Sequence, residues 1–287
     1  MLDAVPVLSY EAQMEKFGFV PFDHKEPNFF PVREAEVYDG EGRAVPGYKR
    51  IERGDTGDTL HIATSAYSLV PYETHFGQFE RAIKASRLPW RTMRIGTDLE
   101  KNGSRVFRQY LFPDTTMEID SGRGVRHIAL RIFMFDSYDG SSALTGRSGF
   151  FNFLCCNQAI MGTTIADVKF RHVGDMEAKV QIAADTLTSA AEEFVENMKR
   201  LARWPQIAVN APLFGQLIEH GLPQANPKLV DYMTAQFART ESANLWDAHD
   251  LLTTWSTHGI PTRTAADRQK RVATLIEGKD WCTVEAA

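Results

Sequence analysis

The chain has 287 residues, of which 43% are hydrophobic and 24% charged, and its net charge is −5. This length fits one large domain or two modest ones, and the composition lies far from the range of disordered chains. The negative total argues against a globally basic nucleic-acid binder, and no apolar run approaches the ~20 residues that span a bilayer. The N-terminus also lacks a basic segment followed by an apolar one, so we expect a soluble protein of the cytoplasm with no membrane partner.

The N-terminal quarter of the chain begins without a regular pattern. Residues 1–35 are mixed in character and interrupted by prolines, which predicts an irregular arm. A hairpin follows, in which residues 47–53 and Thr59–Thr64 flank a turn over residues 54–58. The two glycines of this turn supply the positive φ angles that tight turns require.

The middle of the chain alternates between helical and extended patterns. Residues 72–86 have apolar side chains at steps of three and four, which predicts a helix. Residues 105–112 and 125–136 alternate in hydrophobicity, and residues 141–156 return as another strand after a Tyr-Asp-Gly turn at 138–140. The connections are too short for parallel crossovers, so we expect an antiparallel sheet over roughly residues 45–160.

From Gly174 onward the period of the apolar residues changes from two to between three and four. One amphipathic helix of about 27 residues is predicted to run to the segment before Pro205, with Asp175 at its start. Shorter helices are predicted near residues 212–220, 227–238, 243–256 and 263–277, with a hinge at 221–227.

These patterns define an α+β fold: an antiparallel sheet of hairpins with a packed helix, then a long amphipathic helix and a helical C-terminal half. We divide the chain into an irregular arm over residues 1–35, an α+β core domain over 36–204 and a helical region over 205–287.

Motifs of common enzymes are missing from the sequence. It contains no GxxxxGK[ST] loop, no GxGxxG after a strand, and neither GxSxG nor HExxH. The eight histidines are dispersed. The three cysteines (Cys155, Cys156 and Cys282) suggest neither a disulfide framework nor a zinc site, and the adjacent pair is better explained as small buried hydrophobes than as a nucleophile. We therefore predict no metal and no cofactor, and an enzyme is less favoured than a binding protein.

One constellation resembles a catalytic site. Asp136 and Asp139 flank a hairpin corner, where two carboxylates could bind Mg²⁺ through oxygen ligands. The competing interpretation is that aspartate, serine and glycine at this position simply form a turn, since Asp-Gly is a turn signal by itself.

Charge is distributed unevenly along the chain. Residues 1–86 carry 9 basic and 14 acidic groups, and residues 173–287 carry 11 and 15, whereas residues 87–172 carry 12 and 8. Cations that follow phosphates and aromatic rings that stack on bases are what a single-stranded nucleic acid needs. The candidate nucleic-acid contacts are Trp90, Arg91, Arg94, Arg105, Arg108, Tyr110, Arg126, Arg131 and Arg147. Alternatively, these arginines occupy an exposed sheet face and the phenylalanines between them belong to the core.

Several stretches resemble the domain-of-unknown-function 932 family, whose members occur on phages, prophages and plasmids. Residues 135–142 and 153–158 resemble its S-x-D-G-S turn and its later V-C-x-N strand end. Residues 244–259 with Arg268 resemble its C-terminal LW…A…T…H helix, and residues 54–71 fit its early hairpin motif.

The resemblance implies a setting in mobile elements, which commonly encode recombination, replication or anti-defence functions. The order of hairpin, sheet and long helix is also similar to that of the ring-forming single-strand annealing proteins of phages (the Red-beta, RecT and Erf group). We therefore expect a homo-oligomeric, ATP-independent protein that binds and anneals single-stranded DNA during recombination or replication in the host cytoplasm.

Two other functions remain open. The first is a non-enzymatic protein-binding factor, such as an anti-defence or replication accessory protein that contacts host or phage replication proteins. The second is a Mg²⁺-dependent nuclease that uses Asp136 and Asp139.

Overall fold

The structure is a computed structural model. It describes residues 14–15, 18–22, 29–152, 160–193, 198–199, 201–222, 227–257, 268, 271–272 and 274–276, and within these it leaves out the side chains of 150–152, 160–165, 220–221 and 229.

Nine strands are present in this part of the chain. They are β1 (Val20–Pro21), β2 (Val32–Tyr38), β3 (Ala44–Arg53), β4 (Thr59–Thr64), β5 (Arg94–Glu100), β6 (Arg105–Asp120), β7 (Val125–Ser137), β8 (Leu144–Asn152) and β9 (Ile160–Phe170).

The described helices of eight or more residues lie between β4 and β5 and after β9. They are α1 (Tyr72–Ala85), α2 (Met176–Glu192), α3 (Ala211–Gly221), α4 (Pro227–Phe237) and α5 (Leu245–Thr257). Short 3₁₀ turns cover Trp90–Thr92 and Trp204–Gln206.

The strands form two antiparallel sheets. The larger has the order β1-β5-β6-β7-β8-β9, and the smaller has the order β2-β3-β4. The α+β class is thus confirmed, with antiparallel hairpins followed by helices. The expectation of one sheet over residues 45–160 was wrong, because the early hairpin pairs with β2 and forms a sheet of its own.

The predicted helices agree with the structure except for the long one. Helix α1 and the three helices α3, α4 and α5 lie where the apolar spacing placed them. Helix α2 starts as expected, since the Asp175 carboxylate accepts a hydrogen bond from the Ala178 N–H at 2.9 Å. It ends at Glu192 after 17 residues, so the predicted single helix of about 27 residues is too long. Most of the hinge at 221–227 and of the helix at 263–277 falls outside the described residues.

Helices α1 and α2 cover one face of the larger sheet. Phe79 of α1 packs on Tyr110 of β6 with 5.0 Å between ring centroids, and both side chains are fully buried. On α2, Leu187 lies over Gly146 of β8, where an added Cβ would stand 2.6 Å from the Leu187 Cδ1. Because Gly146 has no side chain, α2 can pack closely on β8 at this position.

The turn between β6 and β7 connects the sheet to the C-terminal helices. Arg123 donates to the Asp247 carboxylate at 3.1 Å, and Arg126 donates to Asp250 at 2.7 Å. The Asn244 side-chain amide donates to the Ser121 carbonyl at 2.9 Å and is buried. The C-terminal helices therefore pack against the larger sheet through this turn.

Among the helices that are described, none has the length and apolar character needed to cross a membrane.

We expect Gly146→Ala to destabilise the protein, because the added methyl group meets the buried Leu187 and Val168 side chains. Overpacking of this kind costs about 1–3 kcal/mol in the free energy of unfolding, which urea denaturation measures. Gly40→Ala is the matched control, since an added Cβ there has no neighbour within 4 Å. Equal losses for the two variants would contradict the proposed packing of α2.

Candidate nucleic-acid interface

The nine candidate contacts do not converge on one groove. Arg108 and Tyr110 of β6 point under helix α1, where Arg108 is 5% exposed and Tyr110 is fully buried. The Arg108 guanidinium donates to the Glu80 carboxylate at 2.7 Å and to the Thr97 hydroxyl at 2.6 Å. These two candidates belong to the core, and we withdraw them as surface contacts.

Arg131 and Arg147 project from the opposite face of the sheet, and both are buried. Each guanidinium lies close to the Phe133 ring, at 5.7 Å and 5.9 Å from its centroid. Arg147 also donates to the Asp167 carboxylate at 3.1 Å. Burial lowers the pKa of Arg131 because the charged form loses its hydration. Neither side chain is open to a bound strand.

Arg105 and Arg126 are partly exposed but lie at different positions along the sheet, and both form ion pairs. Arg105 donates to Asp139 at 2.8 Å, next to the turn that follows β7. Arg126 is part of the connection to the C-terminal helices described above. Both guanidinium groups are already paired with carboxylates, which makes them weaker candidates for contacting a phosphate.

Arg94 starts β5, where it lies opposite Pro21 and Leu111, and it is not part of a cluster. Trp90 and Arg91 lie together where α1 ends. Trp90 is half-buried, with the Arg91 guanidinium 4.7 Å from its ring centroid. Phe22 meets Trp90 edge-on at 6.3 Å between ring centroids. The Lys84 ammonium lies 4.8 Å from the Phe22 ring and 6.0 Å from the Trp90 ring. Two rings and two cations thus form one surface cluster.

Two further exposed cations extend this cluster along the helix and past its end. Arg81 precedes Lys84 by three residues, a spacing that keeps helical side chains on one face, and Arg87 is exposed two residues after the last residue of α1. We define the basic-aromatic patch as Phe22, Arg81, Lys84, Arg87, Trp90 and Arg91. Of these, Arg81, Lys84 and Arg87 were not among the predicted contacts, although residues 81–94 contain five basic and no acidic residues.

Local chain geometry explains why the patch forms here. Helix α1 ends when the Ser86 N–H donates to the Ala82 carbonyl at 3.0 Å, and the Ser86 hydroxyl donates to the Ile83 carbonyl at 2.7 Å. Trp90 then opens a 3₁₀ turn after Pro89. The C-terminal end of a helix carries partial negative charge, which favours cations such as Lys84 beside it.

Of the acidic groups near the patch, one turns inward and two lie beside it. The Glu80 carboxylate turns inward to Arg108. The Asp114 carboxylate accepts a hydrogen bond from the Thr92 hydroxyl at 2.8 Å, and Glu192 accepts one from the Arg87 backbone N–H at 2.8 Å. The four exposed basic side chains of the patch outnumber these two carboxylates, so the local charge is positive.

A second cluster, fully buried, lies at the opposite end of α1. Asp136 of β7 accepts hydrogen bonds from His75 Nδ1 at 2.9 Å and from His172 Nε2 at 2.6 Å. The Ser137 N–H donates to the same carboxylate at 2.7 Å. His75 is on α1 and His172 precedes α2, so one carboxylate connects both helices to the sheet.

Aromatic rings enclose this carboxylate. The Tyr67 ring stacks on His172 at 5.1 Å between centroids, and its hydroxyl donates to the Ser137 carbonyl at 3.2 Å. The Tyr72 and Tyr138 rings stack at 3.8 Å, and the Tyr138 hydroxyl accepts from the Tyr72 N–H at 2.7 Å. Burial raises the pKa of all three tyrosines, so they stay neutral at any physiological pH.

The protonation states follow from competition between burial and hydrogen bonding. Burial raises the pKa of Asp136, but the hydrogen bonds from His172 and His75 outweigh it and lower that pKa to about 2. Burial lowers the pKa of His172, but the hydrogen bond to Asp136 outweighs it and raises that pKa above the ordinary 6.5.

The hydrogen bonds of Asp136 and Asp139 argue against the Mg²⁺ site that these two residues suggested in the sequence. Both oxygens of Asp136 have histidine partners, while Asp139 accepts from the Ser141 N–H at 2.9 Å and from Arg105. Asp139 therefore forms the turn that its sequence indicates. Among the described residues no three His, Cys, Asp or Glu side chains are grouped to hold a metal ion. Cys155, Cys156 and Cys282 lie outside the described residues.

We expect Asp136→Asn to destabilise the protein by about 3–5 kcal/mol, because it removes the charged partner of a buried network. Asp98→Asn is the control, since Asp98 is exposed on β5 and a change there should stay within about 0.5 kcal/mol. Urea denaturation at pH 6 measures both. A loss below 1 kcal/mol for the Asp136 variant would contradict the network's importance.

The two shifted pKa values also define a pH window. The lowered pKa of Asp136 makes its contribution present above about pH 4 and lost as the pH falls towards 2. The raised pKa of His172 makes its contribution present below pH 6.5 and lost as the pH rises through the folded-state value. We expect the free energy of unfolding to be highest between about pH 4 and 6.5. In His172→Gln the loss on the alkaline side should disappear, and an unchanged profile in that variant would contradict the assignment.

Comparison with known proteins gives one match. The family described as Domain of unknown function (DUF932) matches residues 59–276, which is more than half of the chain. No curated protein and no solved structure matches this chain. The matched range includes the buried Asp136 cluster and every member of the patch except Phe22. The chain belongs to the DUF932 family.

Proposed function

We propose that this protein binds single-stranded DNA at the basic-aromatic patch and promotes annealing without ATP, in the recombination or replication of a phage or other mobile element. The observation that carries the proposal is the arrangement of Lys84 and Arg91 around the paired rings of Phe22 and Trp90. Arg81 and Arg87 extend the same surface by two exposed cations.

The chemistry of the patch suits a flexible strand. Phosphates require cations along a path, and the four basic side chains span the last turns of α1 and the segment after it. Unstacked bases require flat partners, which the Trp90 ring and the planar Arg91 guanidinium supply together. A duplex keeps its bases stacked inside, so it would use the cations but not the rings.

Sequence-independent binding is the expected mode. The patch offers cations and ring faces, and these recognise any phosphate and any base. A protein that holds a strand by its backbone leaves base edges open for a complementary strand, and annealing requires that exposure. Several copies acting together would hold a longer strand, so we propose that the working form is a homo-oligomer in the cytoplasm.

We expect labelled single-stranded DNA to bind with an affinity that falls steeply as salt increases, because phosphate neutralisation releases counterions. Arg91→Ala should reduce the slope of log K against log salt by about 0.7, the value for one lost phosphate contact on a single strand. Trp90→Ala should weaken binding by about 1–3 kcal/mol with little change in slope, because it removes stacking. Fluorescence anisotropy at several salt concentrations measures both.

Matched controls come from helix α4 and the residues after it. Arg239→Ala removes an exposed arginine and Tyr232→Ala removes an aromatic side chain that is 60% exposed. Both should bind like the parent protein, and circular dichroism checks that all four variants are folded. No binding at low salt, or equal losses in the patch and control variants, would refute the proposal. Annealing is followed with two complementary labelled strands in the absence of ATP.

A further inference from the structure

The smaller sheet has two edges of different character. Its order is β2-β3-β4, so β2 and β4 each have one side that no other described strand pairs with. An edge strand presents a row of backbone N–H and C=O groups that can pair with another chain. Proteins usually protect such edges with charges, prolines or bulges.

Strand β2 has this protection and β4 does not. Glu34 and Glu36 lie on β2, and its register shifts between Glu36 and Tyr38. Strand β4 has the sequence Thr-Leu-His-Ile-Ala-Thr, without a charged residue or a proline. Its one irregularity lies near Thr59, where the register with β3 shifts between Ile51 and Glu52. Four successive residues of β4, ending at Thr64, therefore pair regularly with β3 on one side.

The two faces of β4 also differ. Ala63 points inward and is 3% exposed, next to the fully buried Ile51 of β3. Ile62 points outward and is 47% exposed, and Tyr48 of β3 on the same face is 53% exposed. These two side chains lie diagonally across the pair of strands, within the reach of cross-strand contacts. Ile62 therefore carries exposed apolar surface to the β4 edge, with Arg50 directly opposite it on β3.

We propose that a second copy of this chain pairs with β4 along this edge, with the two β4 strands antiparallel about a two-fold axis. The pairing would join two three-stranded sheets into one of six strands and place the Ile62 side chains of both copies on one face, each next to Tyr48 of its own copy. Charge favours this arrangement, since β4 opposite itself brings no like charges together, whereas β2 paired with itself about Ala35 would place Glu34 opposite Glu36 of the other copy. A contact that uses the same patch on both copies closes as a dimer.

Sedimentation velocity at protein concentrations of about 1–100 µM, the range in which weak dimers form, tests this proposal. We expect the parent protein to form dimers and Ile62→Lys to remain monomeric with at least a tenfold weaker association, because a lysine on an edge strand prevents pairing. Ile182→Lys is the matched control, since Ile182 is 53% exposed on α2 and outside the smaller sheet. That variant should dimerise like the parent.

Each other outcome counts against the proposal. A parent protein that stays monomeric over this range overturns it. Open-ended growth with concentration indicates β4 pairing with β2 of the next copy, since a contact between different patches does not close in pairs, and that also overturns it. Equal dimerisation of the Ile62 and Ile182 variants places the interface elsewhere. DNA binding by the Ile62→Lys variant is measured separately. If this variant is monomeric and still binds single-stranded DNA, loss of the β4 contact has not removed the proposed function.

Discussion

The buried carboxylate of Asp136 is the constraint on which the arrangement of the core depends. It lies on the central strand β7 and accepts hydrogen bonds from His75 on α1 and His172 ahead of α2. A carboxylate in a dry interior is costly unless it is fully paired, so the two helices can cover the sheet only in positions that keep both histidines in contact with it. Helix α1 is therefore fixed at its first turn. Its 14 residues, about 21 Å at 1.5 Å per residue, carry the polypeptide to the basic-aromatic patch at the other end.

The same helix divides its residues between core and surface. Phe79 is buried against Tyr110 of the sheet, and Phe76 is buried against Phe29. Glu80 turns in to neutralise Arg108. Arg81 and Lys84 face outward. Because Glu80 is engaged inside, the exposed face of the last turns is positively charged although the chain as a whole is negative. A fixed helix thus gives the patch a defined geometry, which a flexible basic segment would lack.

Much of the fold follows from periodicity alone. The hairpin over β3 and β4, helix α1, the strands β6 and β7 and the C-terminal helices lie where alternation or helical spacing placed them. Strands β5 and β9 were not foreseen, and β2 fell partly in the segment expected to be irregular. The site was harder to predict. Alternation shows which residues share a face but not which face meets solvent, and so Arg131 and Arg147 looked exposed although both are buried. Arg108 is buried because Glu80, 28 residues earlier, reaches it. His75 and His172 are 97 positions apart, and only the folded chain brings them to Asp136.

The end of α1 is the surface that we propose contacts a single strand of DNA. Photocrosslinking tests it most directly: a strand containing 5-iodouracil is irradiated with the protein, and the attached peptide is mapped by mass spectrometry. Stacking on the patch predicts a crosslink within the peptide that contains Trp90, reduced in Arg91→Ala and unchanged in Arg239→Ala. Crosslinks confined to peptides outside the patch would contradict the claim.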